Sequence, residues 1–370
     1  MHTKMKIMLA YYNDMTVFLS TIFHALDFKI DYMGRPTKST IELATKYAPE
    51  AWCFDTKLMI GQLIEGSRRG NDILAIPGAW GGKNENCLLG YLCHGVFQKR
   101  IEKIIGKKVR LWHFNVNPIE MIYSGYFSAY KNIAMLKRYT KVKFFRTRVV
   151  KAFILGVQKM KMAAQLKEKI LDSADVVDTE RLFLTYDDLI RNMIYNADDY
   201  MKAKDIFDNA VKKISQLKRK RVKKKIRIGI VGDYDHTLFS IFPIFDFERF
   251  LLSENVIVKQ PLSFINYYSF LSPIYSSKNR EEAGRIFPKG VTGSDAMTVL
   301  CANYLKDKVD GIIHVGTFSC TPEEVASEVL ISHKNLFPPI LSLQYDAHTT
   351  EENMKVRIEA FIDMLAARKR

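Results

Sequence analysis

The residues that could do chemistry are the cysteines. Cys320 sits in GIIHVGTFSCTPEEVASEVL (311–330), where an apolar strand runs into the thiol and a helix opens with Thr321, Pro322, Glu323 and Glu324. An α/β protein presents groups to a ligand at such a junction, and a helix N-terminus favours thiolate. Cys53 and Cys87 also lie at strand-to-helix or loop-to-helix junctions. Soft thiolates suit iron–sulfur clusters, although most cluster signatures are compact C-x2-C runs, which this chain lacks. Scattered cysteines are otherwise small core residues. Cys301, within AMTVLCANYL, reads as core, and Cys93 shares CLLGYLC with Cys87 and reads as packing that could assist it.

Two other stretches invite chemistry. In IRIGIVGDYDHTLF an apolar strand precedes Asp233, Tyr234, Asp235 and His236. It resembles the first motif of haloacid dehalogenase-like phosphatases, with Asp233 as nucleophile and Asp235 as general acid/base. Such an enzyme also needs a strand ending in an acidic pair for magnesium, and no convincing one follows residue 240. In QYDAHTTEEN, Asp346 and His348 have metal-ligand character, but turn formation and capping by Asp346, Thr349 and Thr350 explain the same polarity. PGAWGGKNENC is Gly-rich yet lacks the P-loop ending, so any ATPase is a separate protein.

These residues need elements to hold them. The first ~115 residues alternate β-rich runs with amphipathic helices, as a parallel sheet requires. KIMLAYY reads as a strand, Thr16–Leu26 as a helix, TKLMIGQLIEGSRRG as a helix and NDILAI as a buried strand, before the Gly-rich loop and a helix opening at Cys87. Helical spacing rich in Lys and Arg then takes over, including TYDDLIRNMIYNADDYMKAKDIFDNAVKKI, which is two amphipathic helices or one kinked helix. A second α/β unit starts at KKKIRIGIVGD, with strands at GIIHV and ILSLQY. Its last helix, Glu351–Leu365, has Met354, Ile358, Phe361, Ile362 and Leu365 on one face and Thr350 as N-cap. The expected architecture is two α/β domains with parallel sheets flanking a cleft, 1–117 and 226–370, with a basic helical subdomain and linker at 118–225.

With 370 residues, 48% hydrophobic and 26% charged, the chain has the composition of a folded soluble protein of two or three domains. An odd number of irregularly spaced cysteines suits a reducing cytoplasm. The opening MHTKMKIMLAYYNDMTVFLSTIF reads as a first strand rather than a signal peptide, and no run reaches the roughly 18 apolar residues of a membrane span. The formal charge of +16 is concentrated in the central helical stretch, where it reads as a solvated face and linker rather than an RNA or acidic-partner surface. No nucleic-acid module accompanies it.

Four segments, in order, resemble the 2-hydroxyacyl-CoA dehydratase D-component family, which includes subunits of 2-hydroxyglutaryl-CoA dehydratase and benzoyl-CoA reductase and activase-related proteins. They are STIELATKYAPEAWCFDTKLMIGQLIEGSRRGNDILAIPG, NENCLLGYLCHGVFQKRI, GTFSCTPEEVASEVL and ILSLQYDAHTTEENMKVRIEAFIDML. The resemblance covers both α/β units and omits the basic middle. It implies a [4Fe–4S] cluster, or a larger or double one, held by Cys53, Cys87 and Cys320. It further implies low-potential electron transfer or reductive, radical chemistry on a small substrate such as an acyl-CoA, in anaerobic metabolism. An iron–sulfur ATPase activator and a homo- or heterodimer come with it. The chain departs from the family pattern at Phe54-Asp55 and at Asn86 and Leu88 beside Cys87, and its Gly-Gly-His-Gly loop is reduced to GVTGSD. These departures admit a degenerate, non-catalytic member that keeps the fold.

Overall fold

In a computed structural model of the chain, residues 4–77, 96–114, 133–221, 226–238, 241, 246–263, 266, 272–287 and 293–369 are described. The chain divides into two compact units, Met1–Lys159 and Met160–Arg370. Each is built on a four-stranded parallel sheet.

The first unit runs β1 (Lys6–Ala10), α1 (Asp14–Ala25), β2 (Lys29–Gly34), α2 (Lys38–Tyr47), α3 (Phe54–Arg68), β3 (Ile73–Pro77), α4 (Val96–Ile105) and β4 (Leu111–Phe114). Its strand order is β2-β1-β3-β4. Ile7, Met8, Leu9 and Ala10 have no exposed surface, as expected of an inner parallel strand covered by helices on both faces. The strand stops at Ala10 rather than continuing through Tyr12. The Tyr12 N–H turns to the Thr16 hydroxyl (2.7 Å) and Asn13 takes a left-handed φ of 49°, which starts α1 two residues earlier than the apolar spacing suggests.

α5 (Phe145–Leu171) carries the chain across the boundary between the units. α6 (Thr179–Tyr195) and α7 (Tyr200–Ser215) follow as two separate helices, each opened by an aspartate: Asp178 accepts from the Arg181 N–H (3.0 Å) and Asp199 from that of Lys202 (2.9 Å). Lys167 pairs with Glu248 inside the second unit, its ammonium 4.9 Å from the centre of the Phe183 ring.

The second sheet begins at β5 (Ile226–Gly232), followed by α8 (Tyr234–Thr237), α9 (Phe247–Ser253), β6 (Val256–Lys259), α10 (Ser277–Ile286), α11 (Ser294–Leu305), β7 (Gly311–Thr317), α12 (Thr321–Ser332), β8 (Ile340–Tyr345) and α13 (Glu351–Arg368). Its order, β6-β5-β7-β8, repeats that of the first unit. All seven residues of β7 are buried. The expected apolar face of the last helix packs inward, with Met354, Ile358, Phe361, Ile362 and Leu365 buried, and Thr350 caps it by accepting from the Asn353 N–H (3.3 Å).

Candidate functional site

In both sheets the chain pairs its first strand with its second on one side and its third on the other. Crossovers therefore leave in opposite directions between β1 and β3 and between β5 and β7, and in open α/β sheets the C-terminal ends of strands at such a switch point are where ligands bind.

Cys320 follows the end of β7. The strand finishes at Thr317, Ser319 turns the backbone at a φ of 69°, and the Cys320 N–H donates to the Thr317 carbonyl (3.1 Å). The Cys320 carbonyl then accepts from the Glu324 N–H (3.0 Å), making the cysteine the N-cap of α12. Its side chain is half-buried, beside the positive end of the helix dipole. Cys53 is likewise half-buried and is the N-cap of α3, its Sγ 3.0 Å from the Thr56 hydroxyl. The preceding Trp52 packs on Phe97 with ring centres 5.9 Å apart and lies 5.4 Å from the Arg100 guanidinium, which also holds the Tyr47 carbonyl. The loop bearing Cys53 is therefore tied to α4.

Cys301 behaves differently. It is buried on α11, and burial, reinforced by the charge of Glu323, pushes its thiol up to about 12. Without a metal, burial therefore favours its protonated form. Cys87 and Cys93 lie outside the described residues, as does the loop PGAWGGKNEN from Gly78 onward.

The end of β5 shows why Asp233 stands where it does. Gly232 has a φ of 143°, and a Cβ there would lie 1.8 Å from the Val315 carbonyl oxygen, so only glycine permits this approach of β5 to β7. Asp233 caps α8, its Oδ1 accepting the His236 N–H (3.0 Å) and also pairing with the ring Nδ1 of His236. The imidazole, with no exposed surface, meets the Tyr345 ring edge-on at 4.7 Å. Asp233 is 4% exposed, and its Oδ2 has no hydrogen-bond partner among the described residues. The side chain of Asp235 lies outside them.

Below this edge runs a buried polar network that sequence reasoning missed. The Thr298 hydroxyl on α11 lies 3.0 Å from the Gly232 carbonyl and 3.0 Å from Oε2 of Glu323 on α12. The same Oε2 is 3.1 Å from Nε2 of His314 on β7. His314 Nδ1 lies 3.0 Å from the Ser342 hydroxyl on β8, which is 3.1 Å from that of Ser327 on α12. The network joins β5, β7, β8, α11 and α12, and fixes the first turn of the helix that Cys320 caps. The available signal was His314, a lone polar residue inside the apolar run GIIHVG.

Asp295 is buried in the first turn of α11. Burial raises its carboxyl above the usual carboxylate range, and the nearby charge of Glu323 adds to this against the Ala296 N–H (2.7 Å). Asp346 forms a turn: its Oδ1 accepts the His348 N–H (2.9 Å) and the Thr349 hydroxyl (3.1 Å).

The chain matches no family model, and no curated protein matches it. The donor chemistry of Cys53 and Cys320 fits an iron–sulfur cluster. Both are soft, half-exposed thiols at helix N-termini, where the ionised form that binds iron is favoured. Among the described residues, no helix is long and apolar enough to cross a membrane.

Proposed function

We propose that this is a cytoplasmic iron–sulfur protein that holds a [4Fe–4S] cluster through Cys53, Cys87 and Cys320. In this reading it serves low-potential electron transfer or reductive chemistry on a small substrate, for which an acyl-CoA is the candidate. The observation that carries the reading is Cys320: a half-buried thiol N-capping α12 just beyond the C-terminal end of β7. Cys53 repeats the arrangement at α3, whereas Cys301 is held as a buried thiol.

When bound, such a cluster supplies single electrons at low potential, and an open iron would polarise a substrate oxygen. The chain's own residues do the rest. The α3 and α12 N-termini lower the cost of thiolate at Cys53 and Cys320. The Thr298–Glu323–His314 network keeps the first turn of α12 in place. Asp233 holds the buried His236 ring in place through Nδ1. A separate iron–sulfur ATPase feeds electrons to the cluster in this account.

The test is the visible and electron-paramagnetic-resonance spectrum of protein purified without oxygen. A broad charge-transfer absorbance that bleaches on reduction, with a paramagnetic reduced state, is the expected result. A colourless protein, reconstituted with iron and sulfide and still colourless, would refute the reading.

A second reading rests on Asp233 Oδ2, buried and without a partner among the described residues, as the nucleophile of a phosphatase with Asp235 as its acid/base. Magnesium-dependent hydrolysis of a phosphate ester, lost in Asp233→Asn, is its signature.

A further inference from the structure

The first unit carries a surface that the cluster reading does not use. From Ile133 to Lys167 the sequence contains no Asp or Glu. Lys141, Lys143, Arg146, Arg148 and Lys151 in this stretch are all exposed. Among these cations stand apolar side chains turned to solvent: Phe144 is 81% exposed, Val150 55% and Ile154 56%. Val150 and Ile154 are one turn apart on α5, so they share a face, with Lys151 and Arg146 flanking it. The opposite face, with Phe145, Val149, Ala152 and Gly156, is the one buried.

Phe144 is held out at a cost. Its φ of 55° is unfavourable for a bulky side chain, and burial does not offset the strain. Its carbonyl accepts the Arg148 N–H (3.0 Å), so its backbone starts α5 in a conformation that Asn would adopt more easily. A groove of about 630 Å³ beside it is lined by Ala134, Lys137, Phe144, Phe145, Arg146 and Thr147. Two cations and a hydroxyl there offer what a phosphodiester headgroup takes.

We propose that this face docks on an anionic phospholipid surface, with Lys and Arg meeting the phosphates and Phe144, Val150 and Ile154 entering the boundary between headgroups and acyl chains. Cations of one sign around an apolar ridge are the pattern of an interfacial helix. A protein partner is matched more often by mixed charges around a Lys-poor centre, and a nucleic acid gives an aliphatic ridge nothing to bury against. Docked in this way, the surface anchors the protein peripherally.

The test uses the whole chain and sedimentation with phosphatidylcholine vesicles containing phosphatidylglycerol, with pure phosphatidylcholine vesicles as control. Wild type should sediment with the anionic vesicles only, and added salt should release it. The variant Lys143→Glu/Arg146→Glu/Lys151→Glu should bind at least about tenfold more weakly. Phe144→Asn with Ile154→Asn should also lose several-fold in binding, while Phe144→Asn alone keeps or raises the thermal midpoint, which separates lost docking from lost folding. Three results would overturn the proposal: no binding of wild type to anionic vesicles, unchanged binding in both variants, or displacement from vesicles by RNA at equal phosphate concentration.

Discussion

Nε2 of His314 on β7 lies 3.1 Å from Oε2 of Glu323 on α12, and neither side chain is more than 1% exposed. Glu323 is in the first turn of the helix that Cys320 caps, so this pair ties the turn at Cys320 to the centre of the sheet. Replacing Glu323 with Leu strips a buried partner from both His314 and the Thr298 hydroxyl, and should cost about 2–4 kcal/mol in a urea melt. His314→Leu in the same background should then add little, because the network is already broken. Strictly additive losses would show that the two residues act independently.

Gly232→Ala tests the close approach of β5 to β7. Its Cβ would be placed 1.8 Å from a backbone oxygen, which cannot swing aside, and φ is 143°. A loss of about 3 kcal/mol or more is expected, against about 1 kcal/mol for an ordinary glycine substitution. A neutral effect in a denaturant titration would contradict the described geometry.

The Asp295 carboxyl has a folded-state pKa above its unfolded value, because burial disfavours the ion. A group shifted in that direction stabilises the fold at acid pH, and the contribution is lost as pH rises through the folded pKa. Asp295→Asn cannot ionise and keeps an oxygen for the Ala296 N–H. Its stability relative to wild type should therefore increase from acid to neutral pH. A difference that shrinks over that range would have the wrong sign.

Thiol reactivity separates the cysteines. In metal-free native protein, Cys301 should resist iodoacetamide, since it is buried and its thiol titrates at about 12. Half-buried Cys53 and Cys320 should alkylate at neutral pH, as read by peptide mass spectrometry. Labelling of Cys301 ahead of Cys320 would reverse the assignment.

Much of this fold is legible in the sequence. The junction at Cys320 could be placed because GIIHVGT is continuously apolar and Thr-Pro-Glu-Glu is a helix opening, and the last helix because its apolar residues recur at helical spacing. Local pattern does not mark the strands Lys29–Gly34, Leu111–Phe114 and Val256–Lys259. The first mixes Lys, Asp and Gly on a half-exposed sheet edge, where pairing with β1 decides the conformation and local pattern does not. A strand ending in Asp-x-Asp signals nucleophile chemistry at Asp233, but not that its Oδ1 also caps α8 and pairs with His236. The partnership of His314 with Glu323, Thr298 and Ser342 joins residues on four elements, and single-sequence reading has no means of choosing such partners.

The measurement that bears most directly on the central claim is iron and acid-labile sulfide, per chain, in protein purified anaerobically as wild type and as Cys53→Ala, Cys87→Ala, Cys320→Ala, Cys93→Ala and Cys301→Ala. A cube that loses one of three thiolates is left with an additional open iron and less ligand charge. The account predicts that the Cys53, Cys87 and Cys320 variants each lose most of their iron. Cys301→Ala should keep it and pay only the modest stability cost of a core truncation, on the order of 1–2 kcal/mol, and Cys93→Ala should behave similarly. Equal loss in every variant, or iron retained without Cys320, would contradict it.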